Sequence, residues 1–241
     1  MNVQFFHDAF PVRFNGAHTD AQVPGDFFVA LTLCNQCQHF AFTRGKLDER
    51  LLFSTTRDKL SQRGLGNLRV VTQDVNLFTP DTRFDRVVSV EMFEHIVNWR
   101  ELMTRVAAWL TPDGHFFLHI FTHRSGAYLC DRADGEDWIA QPLLSGGVMP
   151  SHHLIRQYAD LFAVEKEWRW SGVHYQRTAQ DWLANFDSRH DEIERVLRKV
   201  HGGETALWMR RWRWFLLATS GLFGYADGSE WGVSHYRLKA A

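Results

Sequence analysis

Three consecutive segments constrain this chain more than any other part of it. Phe84 to Val90 is apolar nearly throughout, as a strand buried on both faces of a parallel sheet is. Trp99, Leu102, Met103, Val106 and Leu110 recur at helical spacing, which predicts an amphipathic helix. Thr111-Pro112-Asp113-Gly114 reads as a turn, and His115 to Phe121 as a second strand. Strand, helix, strand at this spacing is a βαβ unit with a right-handed crossover. The chain is therefore read as an α/β protein built on an open parallel sheet.

The flanking text is read in the same way. Leu68 to Thr72 is a β-branched run and predicts a strand, with Asp74-Val75-Asn76 as the loop after it. Upstream, Asp26 to Leu31 reads as a helix, and so does Lys46 to Gln62, which Gly64-Leu65-Gly66-Asn67 stops. The rest of residues 1–45 shows no sustained period. Downstream, Ser151 is read as the cap of a helix over His152–Leu161, followed by a strand over Ala163–Trp170. Thr178 opens a helix, Glu192–Val200 and Glu204–Leu222 form two more, and Trp231–Leu238 is a closing strand.

Composition excludes several functions. Lys plus Arg is 27 and Asp plus Glu 28, so no basic field recruits nucleic acid. No stretch reaches the ~18 to 20 apolar residues of a membrane span, and Met1 to Phe10 lacks the pattern of a secretory leader. Three cysteines (Cys34, Cys37, Cys130) form no disulfide framework, so a reduced, cytoplasmic setting is expected. Cys34-Asn35-Gln36-Cys37 with His39 has metal-ligand spacing but no second pair, and no zinc site is expected. Trp208, Trp212, Phe215 and Leu216, with Arg210, Arg211 and Arg213, read as an amphipathic helix packed on the domain; peripheral membrane contact is the other reading. Oligomeric state is not legible. Aromatics make up 14 % of the chain, enough to line a pocket for flat or cationic ligands as well as to fill a core.

Ligands of open parallel sheets bind beyond the carboxyl ends of the strands. Three strand ends here carry polar side chains: Gln73-Asp74-Val75, then Glu91, Glu94 and His95, then His119 and His123. Each alone has an ordinary structural explanation, as turn former, first-turn acid or core histidine. Their convergence on one edge of one sheet points to an active site.

The order and spacing of Val90 to Trp99, Phe117-Leu118-His119-Ile120-Phe121, Gly146 to Ser151, His174 to Thr178, Trp182-Leu183, Leu222 to Tyr225 and Glu230 to Tyr236 add a family. Over residues 64–239 the chain is similar to the cyclopropane-fatty-acyl-phospholipid synthase-like S-adenosylmethionine (SAM) methyltransferases. It looks most like their coclaurine N-methyltransferase-like branch. The resemblance implies a class I, Rossmann-like, seven-stranded sheet with a helical C-terminal substrate cover over residues 63–241, after a divergent or poorly ordered segment 1–62. It implies SAM as cofactor, bordered by Asp74, Val75 and Glu91. It implies Glu94 and His95 as a catalytic pair, with His119 and Tyr175 where relatives hold a bicarbonate base. The substrate is a small amine or a lipid acyl chain, in a pocket that includes Phe223, Trp231 and Tyr236; Trp168, Trp170 and Trp182 are further candidates for its lining. The glycine-rich cofactor loop of that family is absent upstream of Leu68, where the glycines are Gly16, Gly25, Gly45, Gly64 and Gly66. The sheet is therefore expected to lack its first βα units, and a degenerate, non-catalytic member is the alternative.

Overall fold

The computed structural model describes the backbone of residues 3–6, 27–31 and 68–70 and, with their side chains, residue 71 and residues 73–129 and 147–241. Seven strands form one sheet in the order β3-β1-β2-β4-β5-β9-β8. They are β1 (Val3–Phe6), β2 (Phe27–Leu31), β3 (Leu68–Val70), β4 (Phe84–Val90), β5 (Leu110–His123), β8 (Phe162–Ser171) and β9 (Trp231–Ala240). Pairing is parallel from β3 across to β5, while β9 runs antiparallel to both of its neighbours. Two short strands, β6 (Tyr128–Leu129) and β7 (Val148–Met149), pair with each other apart from the sheet. The α/β architecture read from the βαβ unit is the one observed.

The expected loss of the first βα units meets a sheet of full strand number. Phe27–Leu31, read from sequence as a helix, is a strand paired with β4, Phe28 opposite Val87 and Leu31 opposite Val90. A five-residue apolar run is too short for periodicity to separate helix from strand, and an open sheet edge decides it. The predicted helix over 46–62, its glycine stop and the Cys34–Cys37–His39 grouping lie outside the described residues.

α1 (Trp99–Trp109) begins at Asn98, whose side chain accepts from the Glu101 amide at 3.2 Å. It buries Trp99, Leu102, Met103 and Val106 of the predicted stripe, together with Trp109, against one face of the sheet; Leu110, the last predicted member, opens β5 instead. Alternation along β5 and β9 gives that face Phe116, Leu118, Ile120, Tyr236 and Leu238, which join the α1 residues in one core. The other face carries Phe117, His119 and Phe121, and the β9 residue opposite His119 is His235. β5 starts earlier than expected and passes through Thr111-Pro112-Asp113-Gly114; the pairing skips from Phe84–Leu110 to Arg86–His115, which absorbs the extra residues.

Ser151 does not cap a helix. Its backbone is engaged in a bridge with His123, and a 3-10 turn over Leu154–Tyr158 follows instead. The cover consists of α2 (Gly172–Ser188), α3 (His190–His201) and α4 (Thr205–Gly224); Phe186 of α2 packs with Met209 and Leu216 of α4, and Ile193 and Leu197 of α3 lie against that cluster. Leu216 of the predicted α4 stripe belongs to that cluster, and Trp212 and Phe215 pack against it. Among the described residues no helix is long and apolar enough to cross a membrane. α2 begins six residues before the predicted Thr178, with Ser171 Oγ accepting from the Val173 amide at 3.3 Å.

Gly172 explains the early start. A Cβ there would lie 2.3 Å from the Phe223 carbonyl oxygen and 2.3 Å from that of Trp231, so bare backbone is what lets α2 reach both α4 and β9. Gly172→Ala is expected to destabilise the protein by about 3 kcal/mol, the upper end for overpacking against groups that cannot rotate away. Chemical denaturation checks this.

Candidate active site

β4 ends at Val90, and three features turn the chain out of the sheet. Glu91 adopts a left-handed backbone (φ 52°), a conformation that costs a non-glycine residue roughly 1–3 kcal/mol. Its amide donates to the His119 carbonyl at 3.1 Å. A 3-10 turn, Phe93–His95, follows. That turn is anchored by Phe93, fully buried and edge-on to Trp99 at 5.4 Å, while Trp99 Nε1 donates to the Phe93 carbonyl at 2.9 Å. The apolar members of Glu-Met-Phe-Glu-His thus enter the core and fix the polar ones at the sheet edge.

Register brings the second strand in. Val90 pairs with His119, and His119 with His235 on β9. His119 Nε2 lies 3.2 Å from Glu91 Oε1, and its Nδ1 lies 3.0 Å from His235 Nε2. From the cover, the Tyr175 hydroxyl donates to Glu91 Oε2 at 3.1 Å. Tyr175 in turn stacks on Phe223 at 4.3 Å and meets Trp182 edge-on at 6.0 Å.

Glu94 is 1 % exposed, and among the described residues no other residue hydrogen-bonds to either carboxyl oxygen. Burial pushes this carboxyl well above the usual carboxylate range, and the charge of neighbouring Glu91 pushes further in the same direction. Burial holds His95 at about 4, so its imidazole is neutral at neutral pH. The Tyr175 hydroxyl is driven up by burial and then by the charges of Glu91 and Glu94, so it remains a donor. Two acids, two imidazoles and a phenol thus meet at the carboxyl ends of β4 and β5. Such a cluster can attract a cation, accept a proton from it and stabilise it with aromatic faces.

The structure sorts the predicted residues. Glu91, Glu94, His119 and Tyr175 come together, with His95 beside them. Phe223 lies against Tyr175, and Trp231 belongs to the same small cluster with Phe121 and Met149. Tyr236 does not line this pocket: it is 1 % exposed on the α1 face, and its hydroxyl donates to the His152 carbonyl at 2.6 Å. Strand alternation puts it opposite to His235. Trp168 and Trp170 surround His235 rather than the Glu91–Glu94 pair. Asp74 is exposed, and its carboxylate accepts from the backbone and side-chain amides of Asn76 at 2.8 and 2.9 Å, while Val75 packs on the core. His123, from the same strand end as His119, lies 2.9 Å from Glu230. His235 had no role assigned from sequence. The alternation of β9 was readable, but its register against His119 was not.

The sequence model described as mycolic acid cyclopropane synthetase matches residues 53–227. (S)-Coclaurine N-methyltransferase of Papaver somniferum is 30 % identical over 185 residues, which cover 75 % of this chain and 53 % of the relative. The cyclopropane-fatty-acyl-phospholipid synthase of Escherichia coli strain K12 is 28 % identical over 167 residues, 66 % of this chain and 41 % of that one. The crystal structure of a coclaurine N-methyltransferase bound to N-methylheliamine and SAH superposes with a TM-score of 0.72 at 27 % identity, covering 88 % of this chain and 58 % of the other. The fold is therefore that of the class I SAM methyltransferases. The chain belongs to the mycolic acid cyclopropane synthetase family, and it spans about half the length of the curated relatives it matches.

The fit to SAM differs between the two ends of that cofactor. The buried, unpartnered Glu94 carboxyl beside Glu91 and Tyr175 suits a sulfonium or ammonium. At the nucleotide end, β2 occupies the place beside β4 from which the resemblance expects a glycine loop. The residues that follow it, Thr32-Leu33-Cys34-Asn35, each carry a Cβ.

The raised Glu94 carboxyl has a consequence for stability. Its folded-state value lies above its unfolded one, so the folded chain holds the extra proton, and stability falls as pH rises past the unfolded carboxylate range. Glu94→Gln removes this titration. Its melting temperature relative to the native chain is expected to rise progressively between pH 4 and pH 8, as thermal scans across that range would show; a pH-independent difference would contradict it.

Proposed function

We propose that this chain is a SAM-dependent methyltransferase acting on a small amine. The observation that carries this reading is the fully buried Glu94, whose oxygens are unpartnered among the described residues, beside the half-buried charge of Glu91. Burying an acid beside a second acid is unfavourable unless a cation joins them, and an ammonium substrate does so. A lipid acyl chain brings no such charge, which favours the amine over the acyl substrates named for the cyclopropane synthases among the relatives. When bound, SAM supplies an electrophilic methyl group on a sulfonium.

This chain's residues then have defined tasks. Tyr175, stacked on Phe223 and flanked by Trp182, closes the aromatic side of the pocket and excludes water. Glu91 holds the amine end by charge. Glu94 accepts the proton that the amine nitrogen loses, and its raised affinity for protons suits it to that task. Neutral His95 lies next to it in the turn and can pass the proton on.

A second reading has its own support. The glycine-free text after β2 favours a degenerate member that has lost the cofactor cradle. Isothermal titration with SAM separates the two. Micromolar binding supports the enzyme, and no binding supports the degenerate member. Because a cation draws Glu94 toward its ionised form, binding is expected to release protons, seen as a dependence of the measured heat on the ionisation enthalpy of the buffer. Glu94→Ala is expected to lower methyl transfer about 100-fold or more, a far larger effect than the one on SAM affinity. An unchanged rate would remove Glu94 from the mechanism.

A further inference from the structure

α4 is packed on one side only. Met209 and Leu216 are buried in the cluster shared with α2 and α3, Phe223 in the one shared with Tyr175, and Trp208 stacks on His201 of α3 at 4.4 Å. The opposite side faces solvent. Leu207, Arg210, Trp214, Leu217 and Gly221 recur at intervals of three and four residues, so they form a single stripe. At 1.5 Å per residue it runs about 21 Å along the helix. Leu207 is 37 % exposed and Trp214 61 %. A Cβ on Gly221 would meet nothing within 4 Å, so the far end of the stripe is open as well.

This face differs from a solvated helix surface in two respects. It is largely apolar, although a helix that is apolar on both sides is normally enclosed, and an exposed tryptophan between leucines marks a surface that meets something. Its charge is also of one sign. The twenty residues of α4 include Arg210, Arg211 and Arg213 and no Asp or Glu. Arg213 pairs with Asp187 of α2 at 2.9 Å, and Arg211 lies over the Trp208 ring at 4.6 Å. Arg210, within the stripe, has no carboxylate partner among the described residues.

Charge and shape together select the occupant. Two copies of this chain meeting here on a two-fold axis would set arginine against arginine, with no acid of α4 between them. A purely apolar partner would bury the Arg210 charge uncompensated. A surface with anions at one level and hydrocarbon just beneath matches both halves of the stripe: tryptophan and leucine enter the headgroup boundary, while the guanidinium forks onto phosphate. We propose that the outer face of α4 docks on an anionic lipid bilayer, with Leu207, Trp214 and Leu217 in the interfacial layer and Arg210 on lipid phosphate. The stripe lies on the side of α4 away from Phe223 and Tyr175, so docking is independent of the methyltransferase reading above.

Sedimentation of the full 241-residue chain with lipid vesicles tests this. At an ionic strength of about 0.1 M, binding to vesicles of equal parts phosphatidylglycerol and phosphatidylcholine is expected to be at least about tenfold stronger than to phosphatidylcholine alone, and to weaken as salt is raised to about 0.5 M. Arg210→Glu is expected to weaken it about tenfold or more, since each charge near such a surface is worth about fivefold. Trp214→Ser is expected to weaken it about fivefold or more. Leu77→Ser, at a still more exposed apolar position beside α1, is expected to keep native binding. Both α4 positions are exposed, so melting temperatures are expected to stay within about 2 °C of the native chain. A readout on the native chain needs no variant: brominated phosphatidylcholine in the vesicles is expected to quench tryptophan emission on binding. Trp214→Phe, which keeps an apolar ring, is expected to bind within about threefold of native and to lose most of that quenching. Absence of binding to the anionic vesicles, equal binding to the neutral ones, or binding unchanged in both Arg210→Glu and Trp214→Ser would overturn the proposal. So would a concentration-dependent dimer that Trp214→Ser abolishes, which would give the face to a second copy.

Discussion

Parallel pairing of β4 with β5 and antiparallel pairing of β5 with β9 place Val90, His119 and His235 in one row across the sheet. Side chains alternate strictly along each strand, so a one-residue slip in either pairing would send an imidazole to the opposite face. The register is held by the α1 face, where Val87, Phe116, Leu118, Ile120, Tyr236 and Leu238 share a core with Trp99, Leu102, Met103 and Val106. Hydrophobic burial on one side of the sheet therefore determines which polar groups meet on the other.

The turn after β4 shows how the site depends on that core. Met92 and Phe93 are buried, Trp99 hydrogen-bonds back to the turn, and Glu91 is left in a left-handed conformation with Glu94 buried beside it. A strained backbone and an unpartnered buried acid both oppose folding. They persist because the surrounding apolar contacts over-determine the turn, a common arrangement where function needs a group that stability would not select. The cover adds the remaining wall through one glycine contact: Gly172 brings α2 against β9 and α4, and Tyr175, one helical turn on, reaches Glu91.

Much of this was readable in advance. The strand Phe84–Val90 matches residue for residue, and α1 carries the predicted stripe as far as Val106, because a long periodic pattern has few alternative solutions. Short apolar runs were less informative. Asp26–Leu31 reads as a helix, and pairing of Phe27–Leu31 with β4 makes it a strand. Ser151 carries a good capping side chain, but its backbone is committed to His123. Tyr236 and His235 are adjacent in sequence and lie on opposite faces, so a motif that contains both could not say which of them belongs to the site.

The amino-acid sequence by itself determined the α/β class, the βαβ unit and the polar residues at the strand ends, because periodicity and residue chemistry are local properties. It also carried the resemblance to the family, and the absence of the family's glycine loop. Tertiary structure decided what those residues do to one another. The contacts Glu91–His119, Glu91–Tyr175 and His119–His235 span 28, 84 and 116 positions of the chain, where only strand register and helix packing set distance. The burial that raises the proton affinity of Glu94 and lowers that of His95 and His235 comes from neighbours supplied by the whole fold.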